Sequence, residues 1–394
     1  QDINGLPFFN LAGYTNIGDR SFAPDPRKGD VRQIMDNLNW TKGRHSIRTG
    51  VKFRQFIRWA GITNFARGQF NFNGQFTRPQ AGSGQGDAFA DALLGLTNTS
   101  RLSTPLDVRR HSNAYELFLQ DNYKVTSKLT LNLGVRWEYQ APFYEQNNKV
   151  RNFVVDPASP DFGQLVAVRG DSVDARSFQR RDLNNFSPRI GFALQATDKT
   201  VIRGGYGAFY DAVAQLPFGS QPTQNPPFYL QVDIPTQALA ATSNIIVRNG
   251  FPGDALDASV IAGRSLAAVW PYSFPDALTH QWNFNIQQSL PGNSLFSIAY
   301  VGTNTVHRRL GAIQINQPPP GAGAINPRRP FPNFADVAMD VPIGQNNYQG
   351  LEVKFERRFA RGFSMLSGYT WSHTMMGDIG QNTTVLAPIK SLSP

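Results

Sequence analysis

Residues Asn113–Gln140 read NAYELFLQDNYKVTSKLTLNLGVRWEYQ and carry two extended segments joined by a polar turn. In the second segment Leu129, Leu131, Leu133, Val135, Trp137 and Tyr139 fall on one face. Lys128, Thr130, Asn132, Gly134, Arg136, Glu138 and Gln140 fall on the other, a strict period of two that only a β-strand displays as two separate faces. The first segment repeats the pattern, with Tyr115, Leu117 and Leu119 against Glu116 and Gln120, and Lys124-Val-Thr-Ser-Lys128 makes the turn.

Alternation does not by itself say which solvent lies on each side, because a soluble sandwich alternates too. Length and ends decide for lipid: about ten alternating residues, with Trp137 and Tyr139 at one end and Tyr123 near the turn at the other, match the span and aromatic girdle of an outer-membrane strand.

The same design recurs on both sides of this hairpin. Val31 to Trp40 leads through Thr41-Lys-Gly-Arg44 into His45 to Trp59, where Ile47, Val51, Phe53 and Ile57 oppose Arg48, Lys52, Arg54 and Arg58. Pro188 to Ala196 and Thr200 to Tyr210 form a hairpin that sets Ile202, Tyr206 and Tyr210 against Arg203. Thr279 to Leu290 and Ser294 to Thr303 form another, with Trp282, Phe284 and Ile286 opposite Gln281, Asn283, Asn285 and Gln287. In the last, Tyr348 to Phe359 and Phe363 to Ser372, Leu351, Val353, Phe355 and Phe359 oppose Glu352, Lys354, Glu356 and Arg358. About ten strands follow, with turns of about three to five residues alternating with connections of about forty to seventy. That alternation belongs to a transmembrane antiparallel barrel with tight periplasmic turns and long extracellular loops.

Composition agrees. The chain of 394 residues has 35 Gly, 29 Phe, 27 Pro, 12 Tyr and only 17% charged residues. With no cysteine, disulfides, thiolate metal sites and cysteine nucleophiles are excluded. No run of about 18 apolar residues is present, which excludes helical spans but not strands. Residues 1–30 read as an irregular lead-in and residues 31–394 as barrel. The opening QDINGLPFF and the closing APIKSLSP read as those of a piece of a longer chain.

At this point four stretches, FLQDNYKVTSKLTLNLGVRWEY, FSPRIGFALQATDKTVIRGGYGAFYD, QWNFNIQQSLPGNSLFSIAYVG and NNYQGLEVKFERRFARGFSMLSGYTWSH, resemble the barrel of TonB-dependent outer-membrane receptors, in particular the Oar-like branch. The resemblance covers most of residues 31–375. It implies a place in a barrel of about 22 strands in the outer membrane, energy-coupled ligand uptake, and a plug and TonB complex reached through parts of the parent chain. No GxSxG elbow, HExxH or matched carboxylate pair is present, so no enzymatic activity and no cofactor is expected. A passive porin or adhesin barrel and a soluble secreted β-rich binding protein are the two competing readings.

The net charge of +10 and pI near 9.9 raise nucleic acid as a partner. The segregation of aromatics from the basic faces argues against it and assigns the charge to the lumen and the rings to lipid. Candidate ligand-facing residues in the lumen are Arg48, Lys52, Arg54, Arg58, Arg136 and Arg203, which either attract an anionic ligand or are neutralised by acidic neighbours. Candidate membrane-interface aromatics are Tyr115, Tyr123, Trp137, Tyr139, Trp282, Tyr369 and Trp371. Loop aromatics Phe70, Phe72, Phe76, Phe218, Phe228, Tyr229 and Phe331 either engage a ligand at the outer mouth or pack on one another. Gly82-Ser-Gly-Gln-Gly86 lacks the lysine of a phosphate loop and reads as a flexible loop. His45, His111, His280, His307 and His373 have no spacing suited to a metal.

Overall fold

The computed structural model describes residues 4–79, 86–211, 222–238, 240–257, 264–360 and 362–377. In chain order the strands are β1 (Phe8–Leu11), β2 (Arg27–Lys42), β3 (His45–Ile62), β4 (Gln69–Phe72), β5 (Thr99–Ser103), β6 (Leu106–Lys124), β7 (Leu129–Gln140), β8 (Tyr144–Glu145) and β9 (Arg151–Phe153). They continue with β10 (Leu165–Ala167), β11 (Phe186–Gln195), β12 (Thr200–Asp211), β13 (Gln231–Pro235), β14 (Arg264–Val269), β15 (Ala277–Leu290), β16 (Ser294–Gln314), β17 (Phe334–Ala360) and β18 (Phe363–Gly377). Two short helices, α1 (Ala88–Leu94) and α2 (Val173–Ser177), lie in the connections.

Ten long strands form one antiparallel meander in the order β2-β3-β6-β7-β11-β12-β15-β16-β17-β18, each paired with its neighbours in this series. All ten are the strands expected from alternation. Their short turns are closed by local chemistry. Gly43 supplies φ +56 between β2 and β3, and Gly292 and Asn293 supply φ +77 and +57 between β15 and β16. In the β6–β7 turn the Thr126 hydroxyl accepts from the backbone N–H of Leu129 at 2.9 Å, a side-chain substitute for a turn hydrogen bond.

The register carries the outward face from strand to strand. Tyr123, Leu131, Phe192, Gly204, Phe284, Tyr300, Leu351 and Trp371 stand in one row. That face stays open to its surroundings: Ile34 is 75% exposed, Tyr369 65% and Trp371 68%. In water such a surface would be a liability; in hydrocarbon it is the stable arrangement.

The apolar core lies instead in the long connections. One cluster joins Phe153, Leu266, Val269, Ile313, Phe331 and Val337, and a second joins Leu11, Phe70, Phe72, Ala88 and Ile245. A four-stranded sheet in the order β1-β4-β5-β13 carries the second cluster, with β1 parallel to β4. The lead-in expected to be irregular therefore contributes β1, and β2 begins within it at Arg27. α1 is capped by the Asp87 side chain, which accepts from Ala90 N at 2.8 Å, and ends at Gly95 with φ +71.

The connection expected across 304–347 is largely strand. β16 and β17 continue past the wall as one hairpin, leaving residues 315–333 as its loop. Register shifts between Thr305 and Arg308, Arg308 and Leu310, and Leu310 and Ile313 mark where this hairpin leaves the plane of the wall. β14 pairs in parallel with the outer half of β17, so the extension is tied into the extracellular packing.

Candidate functional site

The inner face of the wall is built by the polar half of each alternating strand. Arg48, Lys52, Arg54 and Arg58 stand on one face of β3 because they are separated by even numbers of residues. Register then decides their partners. Lys52 lies opposite Glu116 of β6, which lies opposite Glu138 of β7.

Glu116 becomes the hub, only 7% exposed. Its carboxylate accepts from Lys52 Nζ at 3.0 Å, from Arg136 at 3.1 Å, and from the Arg54 guanidinium. Arg136 also reaches Glu138 at 3.5 Å. Of the six basic residues named from sequence, three therefore converge: Lys52, Arg54 and Arg136. The other three stand apart. Arg48 donates to Asn39 Oδ1 at 2.9 Å, Arg58 faces the Phe143 ring at 6.0 Å, and Arg203 donates to Gln287 Oε1 at 2.5 Å. Arg203 shares the row of Ala193 and Thr130, six residues along β7 from Arg136.

Glu116 was visible in sequence as a polar-face residue, but its role as hub depends on cross-strand register. Arg189 was not singled out. It stands on the inner face of β11 between Gly134 and Gly207, with its guanidinium over the Phe209 ring at 4.6 Å. Its spacing from Gly191 and Ala193 was the available signal.

The expected separation of aromatics from basic residues needs correction. It describes the outward tyrosines and tryptophans, but Phe56, Phe118 and Phe209 stand on the inner face beneath Arg54, Arg136 and Arg189. A guanidinium can lie flat on a ring while keeping its edge donors free, so these phenylalanines hold the arginines in place without consuming their hydrogen bonds.

On the outward face, Tyr115 stacks on Tyr139 at 6.1 Å, with Trp137 beside it at 6.4 Å. Trp137 Nε1 donates to the Leu183 carbonyl at 2.8 Å, fastening the following connection to this end of the wall. At the turn end Tyr123 stacks on His45 at 4.3 Å, and Tyr369 and Trp371 stand exposed on β18. Tyr115 and Tyr123 are eight residues apart on one strand, roughly 27 Å at about 3.4 Å per residue. This is close to the height of a barrel's apolar band. Trp282 stands two residues beyond the Phe284 row and lies over Gly302.

Five of the loop aromatics pack into three separate apolar clusters, Phe70 and Phe72 in one, Phe228 and Tyr229 in another and Phe331 in a third. Phe70, Phe72, Tyr229 and Phe331 are buried, and Phe228 lies against the Leu106–Val108–Tyr229 cluster. Phe76 is half-buried, whereas Phe218 and most of residues 82–86 lie outside the described residues. At the extracellular rim Asp276 is buried beside Asp182 and accepts from Asn185 Nδ2 at 2.9 Å. Burial, followed by the neighbouring Asp182 charge, pushes its carboxyl up to about 7. Among the described residues no group of three or more His, Asp and Glu side chains could hold a metal ion.

A search of the curated proteins finds no significant match. Among solved structures, the chain is similar to the outer membrane transporter YddB from Escherichia coli, at 12% identity and TM-score 0.45, covering 89% of this chain and 34% of that one. It is similar to the ferric-catecholate import receptor Fiu from E. coli K12, at 10% identity and TM-score 0.42, covering 92% and 40%. A third is the alcaligin outer membrane receptor FauA from Bordetella pertussis, at 13% identity and TM-score 0.38, covering 93% and 43%. The chain thus spans well under half the length of these three. The sequence profile of the outer membrane beta barrel domain matches residues 1–391, almost the whole chain. An outward apolar face, aromatic rings toward both ends of the strands and a charged inner face are what such a domain requires, and the chain belongs to the outer membrane β-barrel domain family, with its place in the outer membrane.

Proposed function

We propose that this chain is the wall and extracellular mouth of a receptor that takes up a ligand across the outer membrane, with energy coupled through TonB. The plug and the TonB contact would lie in parts of the parent protein beyond this chain, as the resemblance to the Oar-like branch implies. The observation that carries the proposal is the inner face of β3, β7 and β11. Its arginines are held over phenylalanine rings and only partly neutralised: Lys52, Arg54 and Arg136 share the carboxylates of Glu116 and Glu138, while Arg189 lies over the Phe209 ring. Such a surface favours an anionic ligand or an anionic segment of a lumenal partner.

The deciding measurement is growth and uptake by cells expressing the parent protein, with and without a working TonB, on a panel of anionic nutrients. Uptake that stops without TonB supports the proposal. Passage that continues unchanged without TonB would instead identify a passive porin, and surface attachment with no passage would identify an adhesin.

A further inference from the structure

The inner wall contains a patch without side chains. Gly134 on β7, Gly191 on β11 and Gly205 on β12 sit on adjacent strands, with Gly191 directly opposite Gly205 and Arg189 opposite Gly134. They floor a concavity of about 370 Å³ whose lining includes Arg136, Arg189, Phe209 and the amides of Asn132 and Asn283.

Glycine weakens a strand, so its presence here needs a reason. A bulge is one, but the pairings of β7 with β11, β11 with β12 and β12 with β15 run without a register shift. Cover by a neighbouring ring is another. It accounts for Gly204 under Phe192, Gly207 under Phe209 and Gly302 under Trp282, where an added Cβ would collide with the ring. Gly134, Gly191 and Gly205 differ. A Cβ there would meet its nearest neighbour at 3.4, 3.5 and 3.5 Å, ordinary contact distances, so nothing in the wall itself forbids a side chain. The remaining reason is that something from outside the wall approaches the backbone closely.

The chemistry at the edge of this floor identifies what approaches. Arg136 is committed to Glu116 and Glu138. Arg189 is anchored by its face on Phe209, and among the described residues its Nε is buried with no hydrogen-bond partner. A guanidinium fixed by its face and paired with no carboxylate among the described residues is arranged for a planar, two-oxygen acceptor. We propose that the glycine floor and Arg189 form a carboxylate site on the inner wall: the occupant lies flat on Gly134, Gly191 and Gly205 and presents its carboxylate to Arg189. The carboxylate belongs either to a small ligand in passage or to an acidic side chain of a protein segment filling the lumen. This rests on the inner face being the ligand path proposed above, but its test reads accessibility and not transport.

This chain has no cysteine, so the test uses the parent protein with any cysteine outside this chain replaced by serine. The parent protein carrying Gly191→Cys is compared with Gln195→Cys, on the same face of β11, by the rate of labelling with a small maleimide in washed outer-membrane vesicles. If an acidic side chain fills the site, Gly191→Cys labels about tenfold more slowly than Gln195→Cys, and adding Arg189→Gln removes the difference. If a small carboxylate is the occupant, both label alike until millimolar citrate, but not glycerol, slows Gly191→Cys about tenfold, and Arg189→Gln abolishes that protection. Labelling at Gly191→Cys indifferent to both citrate and Arg189→Gln overturns the proposal. So does failure of both Gly191→Cys and Gly205→Cys to assemble as heat-modifiable barrels, because the glycines would then serve the curvature of the wall.

Discussion

The wall and the extracellular cap solve opposite problems with the same strands. In the wall, Leu117, Leu133 and Ile190 stay exposed on one face while Glu116 is buried on the other. In the cap, Phe153, Ile313 and Val337 are fully enclosed. The wall is held by backbone pairing and an outer apolar solvent, the cap by burying apolar area from water. One polypeptide thus carries two stability regimes, and substitutions should separate them.

The largest effect is expected from a cavity in the cap. Phe153 is fully buried and makes edge contacts with Phe331 at 4.8 Å and Phe334 at 5.2 Å, so Phe153→Ala should cost about 4 kcal/mol. Hydrogen exchange should show it as opening of β9, β14 and the outer part of β17 while the wall pairs remain protected. Loss of protection across β6–β7 would show instead that the two regions unfold as one.

In the wall, identity should matter by face. Leu133→Arg places a charge in hydrocarbon and should cost about 3 kcal/mol in lipid-reconstituted unfolding, whereas the adjacent Asn132→Arg, facing inward, should cost less than about 1 kcal/mol. Equal costs would contradict the face assignment. Glu116→Gln should follow, at about 2 kcal/mol, since it leaves Lys52, Arg54 and Arg136 without their shared carboxylate although all three retain some access to water. Restoring stability by adding Arg54→Gln would confirm that the loss is one of charge.

The effect that is smallest at any one pH step is a pH dependence at the rim. Asp276 titrates near 7 when folded and near the ordinary carboxylate value when unfolded, so the folded form binds the extra proton between these limits. Its contribution is fully present below pH ~4 and is lost as pH rises through ~7, with a slope of at most about 1.4 kcal/mol per pH unit. Asp276→Asn should flatten that slope in the cap's opening free energy, while Asp182 and Asp211 stay in place.

The contrast also explains what the sequence revealed. Alternation from Leu129 to Tyr139 identified the wall because each wall residue answers to one of two environments, and the environment alternates with the pleat. Partner choice was not visible, since the meeting of Lys52 with Glu116 depends on register across sixty-odd residues of intervening chain. The inward phenylalanines were missed because a ring beneath a guanidinium breaks the apolar-out rule while satisfying both groups. In the cap, each residue answers to several segments at once. That is why β1 looked irregular and the outer halves of β16 and β17 looked like loop. The Phe70–Phe72 strand and α1 carry local signals in contrast, alternation in the first and the Asp87 cap in the second.

The strictly sequential meander has a consequence for how such a wall changes over time. Within the wall each long strand pairs with the strands before and after it in the series, β6 and β17 adding short pairings to β8 and β14 above it, and every short turn lies at the same rim. A hairpin is therefore a unit that can be duplicated or deleted while every other pairing inside the remaining hairpins keeps its register. Lineages can widen or narrow the circumference in steps of two strands, with each new long connection free to acquire its own specificity.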